Sequence, residues 1–343
     1  MQLLRDESLA KYTTMRLGGY TQYLTDVASK IELQNTLRWT QGHNIPVITI
    51  GGGSNILFTD EGFNGMVIIN KIPGFEEIET GDEFKVIRIG AGENWDKTVE
   101  KTVQMGLSGI EALSMIPGTA GAAPVQNIGA YGKELADTFV ELEAYDCNTS
   151  TFVTLSKEQC DFGYRSSIFK NARPRRYIIV SITLRLSTDW MSPPLYQSLQ
   201  DYVTKNGISE LSPANIRRAV MDIRASKLPD PKVLANSGSF FKSPIIAKEK
   251  FELIRQTFPG APGYELPDGT VKIPAGWLVE MAGFKGRRDD NGMGVYENHA
   301  LVVVNYSAKH YKDLEDFTAK IVAEVNTKFG IELEREPEVI GSD

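Results

Sequence analysis

The feature that most constrains this chain is a run of small residues in its middle. The segment Ile116–Gly132 reads IPGTAGAAPVQNIGAYG and carries little side-chain bulk. Its small residues are Gly118, Gly121, Ala122, Ala123, Gly129, Ala130 and Gly132. A backbone this bare can lie flat against a large planar ligand. A packed loop is the alternative, but the length of the segment and its polar Gln126 and Asn127 favour the ligand.

A second glycine segment lies earlier, where Ile50–Leu57 reads IGGGSNIL. Its glycine amides can point at a diphosphate, and Ser54 and Asn55 add polar groups. A tight turn that needs positive φ would explain the glycines equally well. Two common nucleotide-binding motifs are not met, because Gly90-Ala91-Gly92 has Trp95 at its sixth position and no GxxxxGK[ST] occurs. A nucleotide bound here would therefore use a different fold.

Composition and charge limit the class of protein. With 343 residues, 41% hydrophobic and 24% charged, the chain is typical of a globular protein with two or three domains. A formal charge of −7 argues against general nucleic-acid binding but allows a local basic pocket. We expect no membrane anchor, because no apolar run approaches about 20 residues and the N-terminus lacks a signal or transit pattern. Two cysteines fit a reducing cytoplasm, and three scattered histidines predict no metal site.

The apolar runs predict a mixed α and β protein. Runs rich in β-branched residues predict strands at residues 46–50, 66–70, 86–90 and 177–186. Helical spacing and capping residues predict helices at 29–42, 94–106, 248–258 and 311–329. A last strand is predicted over 331–340, and a strand this late often returns to pair with an earlier one. The pattern of predicted strands, helices and glycine-rich stretches changes near Lys71 and at the LPDPK segment, residues 228–232. These changes predict three parts of the chain.

Taken together, these segments resemble the family of UDP-N-acetylenolpyruvoylglucosamine reductases. IGGGSNIL and IPGTAGAAPVQNIGAYG are similar to the flavin-binding signature of that family. Further matches follow in family order along nearly the whole chain: TMRLGG at 14–19, FGYRSSIF at 162–169, KLPDP at 227–231, GSFFK at 238–242, AGWL at 275–278 and LEREPEVIG at 333–341. The stretches around Tyr196 and at 258–271 resemble the longer, type I form of the family.

The resemblance implies an α+β fold in which two domains of the vanillyl-alcohol-oxidase (PCMH) type hold FAD and a third α+β domain binds substrate. The FAD-binding parts would be residues 1–71, joined by a C-terminal strand at 330–343, and residues 72–228. The substrate domain would be residues 229–329.

The activity implied is that of an NADPH-dependent flavoprotein of peptidoglycan precursor synthesis, working as a cytoplasmic monomer. It would reduce UDP-N-acetylglucosamine enolpyruvate to UDP-N-acetylmuramate. In the family, NADPH reduces FAD and leaves, and the nucleotide sugar then takes a hydride from flavin N5. The resulting enediolate needs cationic or proton-donating neighbours and a positioned acid.

Two of the implied catalytic residues match family motifs directly. Arg165 matches the arginine of Gly-Tyr-Arg, and its planar, permanently charged guanidinium suits an enediolate. Ser239 matches the proton donor of Gly-Ser-Phe-Phe. A serine hydroxyl is a weak acid, so it can serve only towards a strongly basic carbon.

The third catalytic residue, a glutamate, is harder to align because the chain departs from the family pattern Leu-Glu-Pro-Glu-Val. Counting from Leu333 or back from Gly341 gives Glu336, and matching Pro-Glu-Val gives Glu338. We assign Glu336 and keep Glu338 as the alternative. Glu334, Glu336 and Glu338 would share one face of the predicted strand.

The resemblance also implies binding residues. Those for the cofactor are Gly51, Gly52, Gly53, Ser54, Asn55, Pro117, Gly118, Gly121, Ala122, Gln126, Asn127, Gly129, Ala130 and Tyr131. Those for the substrate are Tyr196, which would cover the diphosphate, Lys227, which would bind the same charge, Ser243 and His299. Ser243 stands where the family often has asparagine, and Met15 replaces a frequent phenylalanine.

Two other functions compete with this one. An FAD alcohol oxidase or dehydrogenase of the same fold would usually carry a histidine or cysteine for covalent flavin attachment, and the glycine segments contain neither. An inactive nucleotide-sugar binding protein would not need Arg165, Ser239 and a candidate glutamate, which are all present.

Overall fold

The computed structural model describes residues 2–171, 175–190 and 195–341. The chain divides into two compact units. The first comprises Met1–Glu7, Thr21–Gly52 and Asn64–Ala225. The second comprises Ser8–Tyr20, Gly53–Phe63 and Ser226–Asp343.

The strands are short and numerous. In chain order they are β1 (Leu4–Ser8), β2 (Tyr20–Val27), β3 (Val47–Ile50), β4 (Ile56–Phe58), β5 (Phe63–Asn70), β6 (Phe75–Thr80), β7 (Phe84–Gly90), β8 (Gly129–Ala130), β9 (Lys133–Glu134), β10 (Phe139–Asp146), β11 (Thr151–Ser156), β12 (Tyr177–Ser187), β13 (Ala235–Ser239), β14 (Ile245–Ile246), β15 (Tyr264–Glu265), β16 (Val271–Lys272), β17 (Met293–Val295), β18 (Val302–Asn305) and β19 (Glu338–Ile340).

The α-helices alternate with these strands. They are α1 (Lys30–Gly42), α2 (Trp95–Gln104), α3 (Lys157–Cys160), α4 (Gln197–Lys205), α5 (Pro213–Lys227), α6 (Lys248–Thr257), α7 (Ala275–Met281) and α8 (Tyr311–Phe329). Among the described residues, none of these helices combines the length and hydropathy needed to cross a bilayer.

Capping residues set the starts of the first two helices, as predicted for Ser29. The Ser29 side chain accepts a hydrogen bond from the N–H of Glu32 at 3.1 Å, and Asn94 does the same for Lys97 at 3.0 Å. After α2 the chain reverses at Gly106, whose φ of +75° is typical of a residue just past a helix end. The predicted helices and strands are confirmed, except for the last strand.

The first unit is built around two sheets. One has the order β11-β10-β12-β7-β6 and is antiparallel, and the other has the order β1-β2-β5-β3, with β3 parallel to β5. Strand β12 reads as a continuous apolar run because both of its faces are covered. Ile178 and Val180 join one apolar cluster, and Ile182 and Leu184 join another.

The second unit contains a large apolar cluster, to which α8 contributes buried Phe317 and Ile321. Its sheets have the orders β13-β18-β17 and β14-β16-β15, both antiparallel. Strand β19 lies parallel to β4, with Glu338 opposite Ile56. Residues near the end of the chain therefore pair with a strand from its first 71 residues.

The predicted strand over 331–340 is largely wrong. Only Glu338–Ile340 form a strand, Arg335 makes an isolated bridge with Phe241, and the chain bends at Pro337. Proline lacks an N–H and therefore interrupts a ladder of backbone hydrogen bonds.

Candidate active site

The two predicted glycine segments lie against each other in the first unit. A Cβ on Gly52 would lie 3.0 Å from the Cα of Gly118, and one on Gly51 would lie 2.3 Å from Thr119 Oγ1. Glycine therefore allows these two backbones to approach closely. The N–H of Gly52 donates to none of the described residues, so it is available to an anionic ligand.

The start of the long segment is fixed by the turn between β7 and α2. The N–H groups of Ala120 and Gly121 donate to the carbonyls of Glu93 and Ala91, at 2.8 and 2.9 Å. A Cβ on Gly121 would lie 2.5 Å from the Cβ of Ala91. The glycines around Ala91, which fail the dinucleotide pattern, lie in the turn that supports this segment.

Asn127 ties the middle of the long segment together. Its Nδ2 donates to Glu134 Oε2 at 2.7 Å and to the carbonyl of Gly163 at 3.2 Å. Its Oδ1 accepts from the N–H of Ala136 at 3.0 Å. The amide group thus uses its two donors and its acceptor within the protein, so this buried side chain shapes the loop.

Arg165 lies at the tip of a tight turn that meets this loop. Gly163 and Ser166 exchange two backbone hydrogen bonds of 3.1 Å, which leaves Arg165 between them with a φ of +53°. Its Nη2 donates to the carbonyl of Gly129 at 2.9 Å. The structure therefore brings the predicted catalytic arginine onto the predicted cofactor segment.

Tyr131 and Tyr196 also come together in this unit. Their rings meet edge to face, with centroids 6.2 Å apart, and Tyr196 remains 44% exposed. Burial raises the pKa of Tyr131, and the positive charge of Arg224 partly offsets that rise. The residue predicted to cover the substrate thus lies beside the cofactor segment.

Arg224 is a candidate site residue that the sequence did not predict. Its Nη2 donates to the carbonyl of Met115 at 3.3 Å, and its buried Nε has no hydrogen-bond partner among the described residues. Burial lowers the pKa of Arg224, and the like charge of Arg165 lowers it further. The interactions with Tyr131 and Asp96 act in the opposite direction, but the pKa stays below the usual value for arginine. The sequence carried one signal, since Arg224 precedes Lys227 by three positions on α5 and so shares its helix face.

Asp96 anchors α5 beside the start of the long segment. Its carboxylate accepts hydrogen bonds from Nη1 and Nη2 of Arg217, at 2.6 and 3.2 Å. It also accepts one from the N–H of Met115, at 2.6 Å. Burial would raise the pKa of Asp96, but these hydrogen bonds and the charges of Arg217 and Arg224 outweigh it, so the pKa lies below the usual range.

In the second unit, the segments that carry Ser239 and Glu336 run side by side. The N–H of Glu336 donates to the carbonyl of Phe240 at 2.9 Å. Glu336 is 7% exposed, whereas Glu334 is exposed and forms an ion pair with Lys242. The expectation that the three glutamates share one strand face is wrong, because the chain bends between Glu336 and Glu338.

The remaining substrate predictions in this unit lie at different places. His299 Nδ1 accepts from the N–H of Leu301, whose carbonyl accepts from the N–H of Phe240, the residue after Ser239. Ser243 accepts from the N–H of Ala275 at the start of α7, at 3.3 Å. Lys227 is exposed at the end of α5.

The other predicted cofactor residues lie on the same two glycine segments. Ser54, Asn55, Ala122, Gln126 and Ala130 are half-buried, and Pro117 is exposed. Gly53 is buried in the second unit with a φ of +65°, where a Cβ would lie 1.9 Å from the carbonyl oxygen of Tyr12.

Comparisons with known proteins cover nearly the whole chain. A family model described as the C-terminal domain of UDP-N-acetylenolpyruvoylglucosamine reductase matches residues 230–340, and one for an FAD binding domain matches residues 21–156. Enzymes named UDP-N-acetylenolpyruvoylglucosamine reductase are similar to it: that of Ralstonia nicotianae is 39% identical over 97% of each chain, and that of Flavobacterium johnsoniae is 40% identical over 99% of this chain and 100% of its own.

A solved structure agrees with the fold. The UDP-N-acetylenolpyruvylglucosamine reductase of Thermus caldophilus superposes with a TM-score of 0.68 over 99% of each chain, at 24% sequence identity. The predicted α+β fold with an FAD-binding part is confirmed by these matches.

Proposed function

This chain belongs to the family of UDP-N-acetylenolpyruvoylglucosamine reductases, and on that premise we propose that it reduces UDP-N-acetylglucosamine enolpyruvate to UDP-N-acetylmuramate with FAD and NADPH. The observation that carries the proposal is the hydrogen bond from Arg165 to Gly129, which puts a cation on the bare cofactor segment. The reaction supplies a precursor of peptidoglycan. We place it in the cytoplasm, where free thiols such as Cys147 and Cys160 stay reduced, and in a monomer.

The residues of the first unit fit FAD. The glycine backbones at Gly51, Gly52 and Gly118 lie close together, and the N–H of Gly52, which donates to none of the described residues, suits a diphosphate oxygen. Bound FAD would supply the hydride for the substrate after receiving one from NADPH. Asn127 would contribute by holding the loop in shape.

Arg165 and Arg224 would stabilise negative charge on the substrate. Arg224 is buried, and its positive charge is repelled by that of Arg165 and attracted by Asp96. An anion bound beside the two arginines would reduce their repulsion. Such preorganised charge is effective for a developing enediolate because it needs no rearrangement during the reaction.

Ser239 would donate the proton that completes the reduction. Hydride addition to the vinyl carbon leaves an anionic neighbouring carbon, which takes the Ser239 hydroxyl proton to form the second C–H bond. Glu336 is preferred over Glu338 for the third catalytic position, because Glu336 is buried next to the Ser239 segment whereas Glu338 belongs to β19.

Substrate binding is proposed for Tyr196, Lys227, Ser243 and His299. The contact of Tyr196 with Tyr131 supports its role as a cover, and the position of His299 beside Phe240 supports a contact near the proton donor. The division into an FAD-binding part at 1–71 and 72–228 and a substrate domain at 229–329 is part of the same proposal.

The test follows the visible absorbance of the purified, FAD-loaded protein. Anaerobic NADPH should bleach the flavin spectrum, and the enolpyruvyl nucleotide sugar should restore it. Ser239→Ala should leave bleaching by NADPH intact while slowing the recovery. Equal loss of both half-reactions in this variant would remove Ser239 as the proton donor, and a wild-type protein that cannot take up FAD would refute the whole proposal.

A further inference from the structure

The strand that carries Ser239 contains an irregularity just before it. On β13, Asn236 pairs with Val304 and Ser239 pairs with Val302, so three steps along β13 match two along β18. This mismatch is characteristic of a β-bulge, in which one extra residue bends the strand and changes the direction of the next side chain. Gly238 occupies the bulge with a φ of +73°.

The side chain of Asn236 holds this bulge from inside. Its Oδ1 accepts from the N–H of Gly238 at 2.9 Å, and its Nδ2 donates to the carbonyls of Leu234 at 2.8 Å and Pro229 at 3.3 Å. Asn236 is 4% exposed. Each of these part-buried backbone groups would lose this hydrogen bond if the side chain changed, and the bulge would lose the contacts that fix it.

The backbone of Asn236 links this strand to the turn at Gly53. Its N–H donates to the carbonyl of Thr14 at 3.1 Å, and the N–H of Thr14 donates to the carbonyl of Gly53 at 3.0 Å. Two hydrogen bonds therefore join the Ser239 strand, through one residue, to a predicted cofactor turn within the same unit.

We propose that Asn236 is a positioning residue that sets the direction of the Ser239 hydroxyl by fixing the bulge at Gly238. The inference rests on the proposed role of Ser239 as proton donor. Asparagine suits this task because a single side chain supplies one acceptor and two donors. Leucine has a similar shape but supplies none of these groups, and ionised aspartate supplies only acceptors.

The experiment measures both half-reactions of FAD-loaded variants by stopped-flow absorbance. Asn236→Leu should slow flavin reoxidation by the enolpyruvyl nucleotide sugar about 10- to 100-fold, since small displacements of a reacting group have effects of this order. Flavin reduction by NADPH should stay within about twofold of wild type, because no proton from Ser239 is needed there.

Asn236→Asp provides a second readout that depends on pH. A protonated carboxyl can donate to the Leu234 carbonyl while its other oxygen accepts from Gly238, so it restores part of the network. The reoxidation rate of this variant, relative to wild type at each pH, should therefore rise as the pH falls. A general loss of stability would affect both half-reactions, so it would not confine this recovery to reoxidation.

Ser237→Ala is the matched control. Ser237 lies between Asn236 and Gly238, is 5% exposed, and its hydroxyl has no hydrogen-bond partner among the described residues. Its loss should leave both half-reactions unchanged. Hydrogen exchange in the substrate-free proteins adds a readout besides activity: the Gly238 amide should exchange faster in Asn236→Leu than in wild type or Ser237→Ala.

Three outcomes would overturn the inference: equal slowing of both half-reactions, reoxidation of folded Asn236→Leu within about twofold of wild type, or no pH-dependent recovery in Asn236→Asp. If the leucine variant does not fold, the pH profile of the aspartate variant decides alone. Failure of the wild-type protein to be reoxidised by the substrate would instead refute the proposed function.

Discussion

Gly53 and Gly238 have similar backbone conformations and different surroundings. Their φ angles are +65° and +73°. A Cβ on Gly53 would lie 1.9 Å from the carbonyl oxygen of Tyr12, whereas nothing lies within 4 Å of a Cβ on Gly238. At Gly53 the neighbouring backbone excludes any side chain, and at Gly238 only the backbone angle disfavours one. Glycine thus serves close packing in the proposed cofactor turn and conformation alone in the turn before Ser239.

The largest loss of stability is expected at Gly53, where a backbone clash and a left-handed conformation both exclude a side chain. Gly53→Ala should lower the free energy of unfolding by about 3 kcal/mol or more, because it combines a left-handed conformation with a backbone clash. Urea denaturation of the variant and wild type measures this difference. A loss below about 1 kcal/mol would show that the Tyr12 segment can move aside, and the comparison would fail.

Gly121→Ala isolates the clash, since Gly121 is not among the positive-φ glycines and its Cβ would lie 2.5 Å from that of Ala91. We expect a loss of about 2 kcal/mol in unfolding free energy, together with weaker retention of FAD, because the long segment must shift. The ratio of flavin to protein absorbance measures that retention. Gly42→Ala is the control, because nothing surrounds its Cβ and its φ is not positive, and it should be close to neutral.

Gly238→Ala isolates the conformation. It should cost about 1 kcal/mol of stability, and Gly238→Asn should cost less because asparagine tolerates this region of φ. Both should slow flavin reoxidation more than flavin reduction. Gly207→Ala has the same open surroundings and a φ of +61°, so it should lose similar stability with neither half-reaction affected. If Gly207→Ala slowed flavin reoxidation to the same extent, the effect of Gly238→Ala could not be attributed to its position beside Ser239.

The smallest expected effect concerns charge instead of packing. The pKa of Asp96 is lowered in the folded state, so its carboxylate stabilises the fold at pH values above the ordinary pKa of about 4. This stabilisation is lost as the pH falls through the lower, folded-state pKa. Asp96→Asn should therefore be about 1 kcal/mol less stable than wild type at pH 7, a value reduced by partial exposure. The difference should shrink below about pH 4. Urea denaturation between pH 3 and 7 tests this, and a difference that stays constant with pH would contradict it.

Local signals in the sequence predicted helices α1, α2, α6 and α8 and strands β3, β5, β7 and β12. Ser29 and Asn94 cap helices that begin one residue later, and helix α8 has the predicted bounds Tyr311–Phe329. These features depend on neighbours within about four residues, which a single sequence displays directly. The last strand is shorter than predicted because Pro337 interrupts the backbone pairing.

Features that depend on distant partners could not be predicted in the same way. Arg224 donates to the carbonyl of Met115, and the N–H of Asn236 donates to the carbonyl of Thr14. The acceptors are backbone atoms, which any residue type supplies, so no pattern of side chains announces them. Arg165 and Ser239 were assigned from motifs, but the contact of Arg165 with Gly129 required the fold.

The pairing of β19 with β4 has a consequence for the time course of synthesis. Ile56 is made about 280 residues before Glu338, its partner. At roughly 5 to 20 residues per second, a ribosome needs about 15 to 55 seconds to supply that partner. During this interval the apolar side chains of Leu57 and Phe58, buried in the finished fold, lack one neighbouring strand. A nascent chain halted in that window offers β4 as an open strand edge, a binding surface for chaperones and a starting point for aggregation.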